Sequence, residues 1–218
     1  MNAIDYFFEH TLDLTKPFLV GKETISFQDL YNTCLNHASR LRTRIGYQKH
    51  ILLLSPNNLF FLQSYLSIIK SGNICIPLDP SIEKDNFQYI FDLTQPAAVY
   101  LTRDVEAKLG FDSDISVYPE SLSGETVPDQ HTGMENEFDA DLCAEIIFTS
   151  GSTGKPKGVM ISHKNLITNT SSIVEYLQLS RDDRMLVVLP FYYCYGLSLL
   201  HTHLRVGGSI VFNNSFIF

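Results

Sequence analysis

Residues 146–163 read Ile146-Ile147-Phe148-Thr149-Ser150-Gly151-Ser152-Thr153-Gly154-Lys155-Pro156-Lys157-Gly158-Val159-Met160-Ile161-Ser162-His163. Two short apolar runs, 146–148 and 159–161, have the length and character of strands. Between them lie ten residues with four hydroxyls, three glycines, two lysines and no acid. That is a composition for holding phosphate. Gly151 and Gly154 permit positive φ and close approach of the backbone. Ser150, Ser152 and Thr153 offer hydroxyl donors, and Lys155 and Lys157 offer charge-assisted ones. Pro156 fixes φ between the two lysines. A Walker A loop is excluded, because the sixth residue from Gly151 is Pro156 and the segment joins two strands instead of opening a helix. Phosphate here would sit in a nest of backbone N–H groups. A flexible Gly/Ser linker would not be bracketed by two apolar strands.

The flanking sequence alternates strand and helix. Phe27, Leu30, Tyr31, Cys34, Leu35, Ala38, Leu41 and Ile45 recur at helical spacing, and Ser26 with Asp29 predicts a capping box at the start of a helix over 26–45. Strand 51–54 follows. Asn57 is expected to cap a second helix that Gly72 ends, and a strand over 74–76 comes next. Helices over 84–93 and 103–109 alternate with strands over 97–101 and 115–118. Beyond the phosphate segment, Ser162 is expected to cap a helix reaching Leu177. A buried strand over 185–189, an aromatic turn opened by Pro190, a helix near 197–206 and a strand near 209–212 complete the pattern. Such alternation implies α/β class, with a mainly parallel sheet or sheets flanked by helices. Residues 119–141 carry seven acids, two glycines, two prolines and no Lys or Arg. They read as a solvated surface loop.

Composition narrows the function. The 218 residues carry 44% hydrophobic and 18% charged side chains and a formal net charge of −8, which suits a folded core and disfavours nucleic acid as the main partner. The positive charge is local: no acid lies between Glu145 and Glu175, while Lys155, Lys157 and Lys164 fall in that gap. Cys34, Cys75, Cys143 and Cys194 are widely spaced, without a C-x-x-C pair, and read as reduced thiols of a cytoplasmic protein. The acidic N-terminus is no signal peptide, and no apolar run is long enough to span a bilayer. His201 and His203 stand two apart on an expected helix and make a poor metal pair.

Residues 146–163 closely resemble the signature of the adenylate-forming, AMP-binding superfamily: acyl- and aryl-CoA ligases, firefly luciferase and the adenylation domains of non-ribosomal peptide synthetases. Two weaker likenesses stand in the same order, residues 58–80 (NLFFLQSYLSIIKSGNICIPLDP) and 189–196 (LPFYYCYG). The resemblance implies the large N-terminal domain of that fold. It also implies ATP-dependent activation of a carboxylic acid to an acyl-adenylate, then transfer to coenzyme A or a carrier-protein phosphopantetheine. On this resemblance Thr149, Ser150, Gly151, Ser152, Thr153, Gly154, Lys155, Lys157 and Gly158 bind the triphosphate, and Lys157 takes a catalytic part. Tyr193, Cys194 and Gly196 line the acyl pocket, against which stands the plainer reading of a packed aromatic turn. Tyr193 occupies a place where many acyl-CoA ligases carry His. No acid follows Asp183, which favours a fatty, aryl or other simple acid over an amino acid. The family's Mg²⁺-holding Glu, ribose-binding Asp and C-terminal-domain Lys have no counterpart in these 218 residues. The chain is therefore expected to be the N-terminal part of such a domain, exposing apolar surface, with the small C-terminal domain absent. A non-catalytic α/β remnant that at most binds nucleotide is the alternative.

Overall fold

The computed structural model describes residues 1–119, 122, 138–149 and 155–213. Most of the expected loop over 119–141, and the expected phosphate ligands Ser150, Gly151, Ser152, Thr153 and Gly154, lie outside the described residues.

The chain opens with α1 (Ala3–Phe8), β1 (Pro17–Leu19) and β2 (Ile25–Ser26), none of which the residue pattern had suggested. Then come α2 (Phe27–Arg44), β3 (His50–Leu54), α3 (Leu59–Lys70), β4 (Ile74–Leu78), α4 (Lys84–Thr94), β5 (Ala98–Leu101), α5 (Arg103–Leu109) and β6 (Ser116–Val117). The second part holds β7 (Cys143–Thr149), β8 (Lys157–Ser162), α6 (His163–Leu177), β9 (Arg184–Val187), α7 (Cys194–Val206) and β10 (Ser209–Phe212).

Among the described residues the strands form two sheets. One has six strands in the order β6-β5-β3-β4-β7-β8, parallel throughout except for the antiparallel β7–β8 pair. The other runs β2-β1-β10-β9, with β9, β10 and β1 parallel and β2 antiparallel to β1. The mainly parallel α/β class expected from the alternation is what forms. Parallel strands need both faces covered, and the period-2 alternation of β3 supplies both. Ile51 and Leu53 join a core shared with α1, α2, α3 and α7. Leu52 and Leu54 face the opposite way, onto Phe87, Ile90, Val105 and Leu109 of α4 and α5.

Local chemistry explains most boundaries. The Ser26 hydroxyl accepts from the Asp29 N–H (3.0 Å), but Asp29 does not complete a box. Its carboxylate, one methylene shorter than Glu, accepts from the same hydroxyl at 2.6 Å. Ser162 and Asn165 do complete one: Asn165 N–H donates to Ser162 Oγ, and Ser162 N–H donates to Asn165 Oδ1. Gly72, at φ +78°, takes the left-handed position just beyond α3.

Three expectations need correction. The cap of α3 is Asn58, whose Oδ1 accepts from Phe61 N–H (2.8 Å); Asn57 has another task. The strand read as buried over 185–189 is β9, at the open edge of its sheet, so only Val187 is buried and Leu186 is exposed. The last helix starts at Cys194, three residues earlier than its apolar pattern suggests. Large apolar side chains that are at least half exposed include Val159 and Met160 on β8, Tyr176 and Leu177 at the end of α6, and Leu186 on β9.

The N-terminus is woven into the core. Ala3, Ile4, Phe7 and Phe8 are fully buried, and Asn2 Nδ2 donates to the Ile69 carbonyl. Asp5 forms a buried ion pair with Lys70 at the end of α3. From the far end of the chain, Arg205 donates to the Tyr6 carbonyl and to Glu9, both at 2.7 Å.

Candidate nucleotide and acyl site

The site is built where β4 and β7 end. In open α/β sheets ligands bind beyond the carboxyl ends of parallel strands. β7 pairs with β8 through Ile147↔Val159, Phe148↔Gly158 and Thr149↔Lys157, so the phosphate-type segment leaves and returns on adjacent strands. Gly158 is the small residue this pairing requires: a Cβ there would lie 2.7 Å from Ile146 Cγ2 and 3.2 Å from Phe148 Cζ. Thr149 ends β7 exposed, its hydroxyl 3.4 Å from the Lys157 carbonyl. Lys157 is exposed and makes no ion pair with another described residue. Lys155 reaches across to α4, its ammonium 5.0 Å from the centre of the Tyr89 ring.

Beside this hairpin lies a cavity of about 520 Å³. Its walls come from three places: Leu78 at the end of β4 and Asp79 after it with Glu83 at the start of α4, Phe148, Thr149 and Pro156 of the hairpin, and Tyr192 and Tyr193 of the turn after β9. The structure thus brings Thr149 and Tyr193 to one cavity, with Lys155 anchored on the neighbouring helix. Asp79 accepts from the N–H and hydroxyl of Ser81, both at 2.7 Å, and shares the cavity wall with Tyr192. Burial, followed by this carboxylate, pushes the Tyr192 phenol up.

The aromatic turn is held from behind by Asn57. Its Nδ2 donates to the Leu189 carbonyl and its Oδ1 accepts from Phe191 N–H, both at 2.9 Å. Phe191 is fully buried against Phe61 and Phe212, whereas Tyr193 and Tyr195 are exposed. Packing therefore accounts for Phe191 and leaves the tyrosines outside the core. Gly196 is buried against the turn itself, since a Cβ would stand 2.1 Å from the Pro190 carbonyl oxygen. Cys194 is exposed at the first position of α7. Neither Cys194 nor Gly196 lines the cavity. Asn57 and Asp79 escaped the residue-level reading. The doubled Asn57-Asn58 was the available signal for the first, since one cap needs one Asn.

Behind the hairpin, Glu145 on β7 is 2% exposed. Tyr65 Oη donates to Glu145 Oε2 at 2.7 Å and lies 2.8 Å from His201 Nε2. Burial pushes the Glu145 carboxyl up to about 7, opposed by the Tyr65 hydrogen bond. Burial alone drives His201 down to about 3. His203, also buried, faces the Leu199 carbonyl through Nδ1 at 2.9 Å. Among the described residues no group of three or more His, Cys, Asp or Glu side chains is arranged to hold a metal ion. No helix among the described residues is long and apolar enough to cross a membrane.

Strand order, the antiparallel β7–β8 edge pair of the larger sheet and the second small sheet define the class as the N-terminal-domain fold of adenylate-forming enzymes. Residues 10–218 match the AMP-binding enzyme family, and the chain belongs to it. It is 31% identical over 173 residues to a dimodular nonribosomal peptide synthase of Bacillus subtilis (strain 168), a match covering 77% of this chain and 7% of that one. It is 28% identical over 188 residues to a D-alanine--D-alanyl carrier protein ligase of Staphylococcus aureus (strain MRSA252), covering 83% of this chain and 36% of the other. Among solved structures, ATP-bound MatB from Rhodopseudomonas palustris superposes with a TM-score of 0.80 at 24% identity, over 99% of this chain and 46% of that one. VinN with 3-methylaspartate gives 0.80 at 18% identity, over 97% and 61%. At these identities the structural likeness speaks to the fold. The chain thus spans less than half the length of both curated relatives and of MatB.

Proposed function

We propose that this chain is the N-terminal part of an AMP-binding domain and serves ATP-dependent activation of a carboxylic acid. A carboxylate oxygen attacks the α-phosphorus of ATP, the bond to the bridging oxygen breaks, and pyrophosphate leaves with that oxygen. The sulfur of coenzyme A or of a carrier-protein phosphopantetheine then attacks the acyl carbon, and AMP departs. Two anions must meet in the first step, so positive charge and fixed geometry are the protein's contribution. Lys157, free of ion pairs with other described residues, and Thr149 at the cavity rim suit that task. Ser150, Gly151, Ser152, Thr153, Gly154, Lys155 and Gly158 belong to the same proposed triphosphate cradle.

The observation that carries this reading is the family match over residues 10–218; the cavity beside Phe148, Thr149 and Pro156 of the β7–β8 pair supports it. For the substrate we favour a fatty, aryl or other simple acid, on the absence of any acid after Asp183 in the aromatic segment. A second reading, an amino acid, is favoured by Asp79 and Glu83, which put carboxylates in the cavity wall from another part of the chain, and by the names of the two sequence relatives.

The test is ATP binding and pyrophosphate exchange by the 218-residue chain with a panel of fatty, aryl and amino acids. Binding that weakens about tenfold in Lys157→Ala, the worth of one charge-assisted contact, supports the cradle. Exchange above background would sink the remnant alternative and name the acid. ATP binding without exchange fits a part that needs the rest of the domain, and no ATP binding at all would overturn the reading.

A further inference from the structure

Glu145 is a buried carboxyl that the proposed chemistry does not use. No lysine or arginine pairs with it among the described residues. The groups around it come from several elements. α3 gives Tyr65, and α7 gives His201, on which Phe7 of α1 lies flat at 4.6 Å. β4 places Cys75 beside it in register, its own strand carries Cys143, and β8 sets Ile161 opposite. Glu145, Ile147 and Thr149 alternate onto one face of β7, so the carboxyl sits about 13 Å upstream of the cavity rim.

Tyr65 has one proton to give and two neighbours able to take it. With Glu145 ionised, Tyr65 donates to the carboxylate and His201 presents Nε2–H to the tyrosine oxygen. With Glu145 protonated, the acid donates to Tyr65, which donates to Nε2 of His201 in its other neutral tautomer. Both arrangements satisfy the Tyr65 hydroxyl as donor and acceptor, and they run in opposite directions.

We propose that Glu145, Tyr65 and His201 form a proton-linked positioning relay for the β7–β8 hairpin. The protonated relay holds β7 against α3 and α7. Loss of the Glu145 proton reverses the relay and loosens the carboxyl end of the strand. The consequence for ligand binding rests on the nucleotide reading given above.

The direction follows from desolvation. A buried carboxylate without a cation gains by reaching water, so opening is favoured once the proton is gone. Glu145 is pushed up to about 7 and His201 down to about 3, so His201 stays neutral while Glu145 titrates. Tyr65, Cys75 and Cys143 are all pushed up and keep their protons over the same range.

The experiment follows three signals of the full chain between about pH 6 and 8.5, a window that straddles the Glu145 titration. These are the His201 tautomer by ¹⁵N NMR, amide hydrogen exchange at residues 146–149 and 157–160 corrected for intrinsic rate, and ATP affinity. In the wild type the tautomer switches, while protection and ATP affinity fall by up to about tenfold per pH unit, the limit for one linked proton. Glu145→Gln, whose amide mimics the protonated acid, holds one tautomer and loses the pH dependence. Tyr65→Phe breaks the relay, so its His201 tautomer no longer follows pH. A merely structural role would shift protection equally at every pH. A flat wild-type profile, or an unchanged slope in Glu145→Gln, overturns the proposal. Normal exchange and tautomer behaviour without ATP binding at any pH would sink the nucleotide reading and leave the relay standing. ATP binding that ignores pH while the tautomer switches would refute the positioning role.

Discussion

Replacing Gly196 by alanine sets two known effects against each other. Gly196 is the third residue of α7, and on helix propensity alone alanine would gain about 1 kcal/mol there. The added Cβ would stand 2.1 Å from the Pro190 carbonyl oxygen, 2.7 Å from its carbon and 3.2 Å from the Leu189 oxygen. Those atoms are backbone and cannot rotate away. A carbon–oxygen contact relaxes only beyond about 3.2 Å, so the turn or the helix must move by about 1 Å. Overpacking of this kind costs about 1–3 kcal/mol. Movement also stretches the two 2.9 Å bonds by which Asn57 holds residues 189 and 191, each worth about 1 kcal/mol. The steric term therefore wins, for a net loss of about 2 kcal/mol. With a urea slope of about 2 kcal/mol/M, the midpoint should fall by about 1 M at unchanged slope. The same displacement carries Tyr192 and Tyr193 away from Asp79, so whatever the cavity binds should bind more weakly. Urea unfolding of Gly196→Ala beside the wild type is the assay. A midpoint equal to or above wild type would refute the argument, because propensity would then have outweighed contact with the backbone.

Two further outcomes follow from buried charge. Glu145 holds its proton up to about pH 7 when folded, against an ordinary value of 4.5. Its contribution to stability is therefore full below pH 4.5 and lost as pH rises through 7, on the order of 3 kcal/mol in all. The buried histidines 37, 163 and 201 have the opposite sign, being pushed down, but they are common to wild type and Glu145→Gln and cancel in the difference. Unfolding free energies at pH 5 and pH 8 should show Glu145→Gln gaining on the wild type as pH rises; a constant difference would contradict the pH linkage. Lys70→Met should cost about 3–5 kcal/mol, because it strands the Asp5 carboxylate in the core. Adding Asp5→Asn should recover part of that loss, and strictly additive losses in the double-mutant cycle would show that the pair is not coupled.

The hairpin, the central strands and the long helices were legible because their causes are local. Period-2 and period-3.6 apolar spacing, Ser26, Ser162 and Gly72 act within a few residues of themselves. The N-terminal segment was harder. Ala3, Ile4, Phe7 and Phe8 lie at helical spacing behind a capping Asn2, yet six residues are too few to stand out, and their helix is held by packing on α3, α6 and α7. β1 and β2 are three and two residues long, and β1 exists through its pairing with β10, nearly two hundred positions away. The exposure of β9 is not legible in its residues, because an edge strand and a central strand share one apolar pattern and differ only in what lies beside them.

By itself the sequence determined the α/β class and the family, since both rest on short-range pattern and on an uninterrupted signature of hydroxyls, glycines and lysines. Tertiary structure decided the rest of the candidate site: Asp79 opposite Tyr192, Asn57 behind the aromatic turn, and Tyr65 between Glu145 and His201. Each joins residues more than seventy positions apart, and no local spacing encodes such a meeting. The Glu145 carboxyl carries no mark of burial in the residue pattern, and only once the fold buries it do its proton and its neighbours matter.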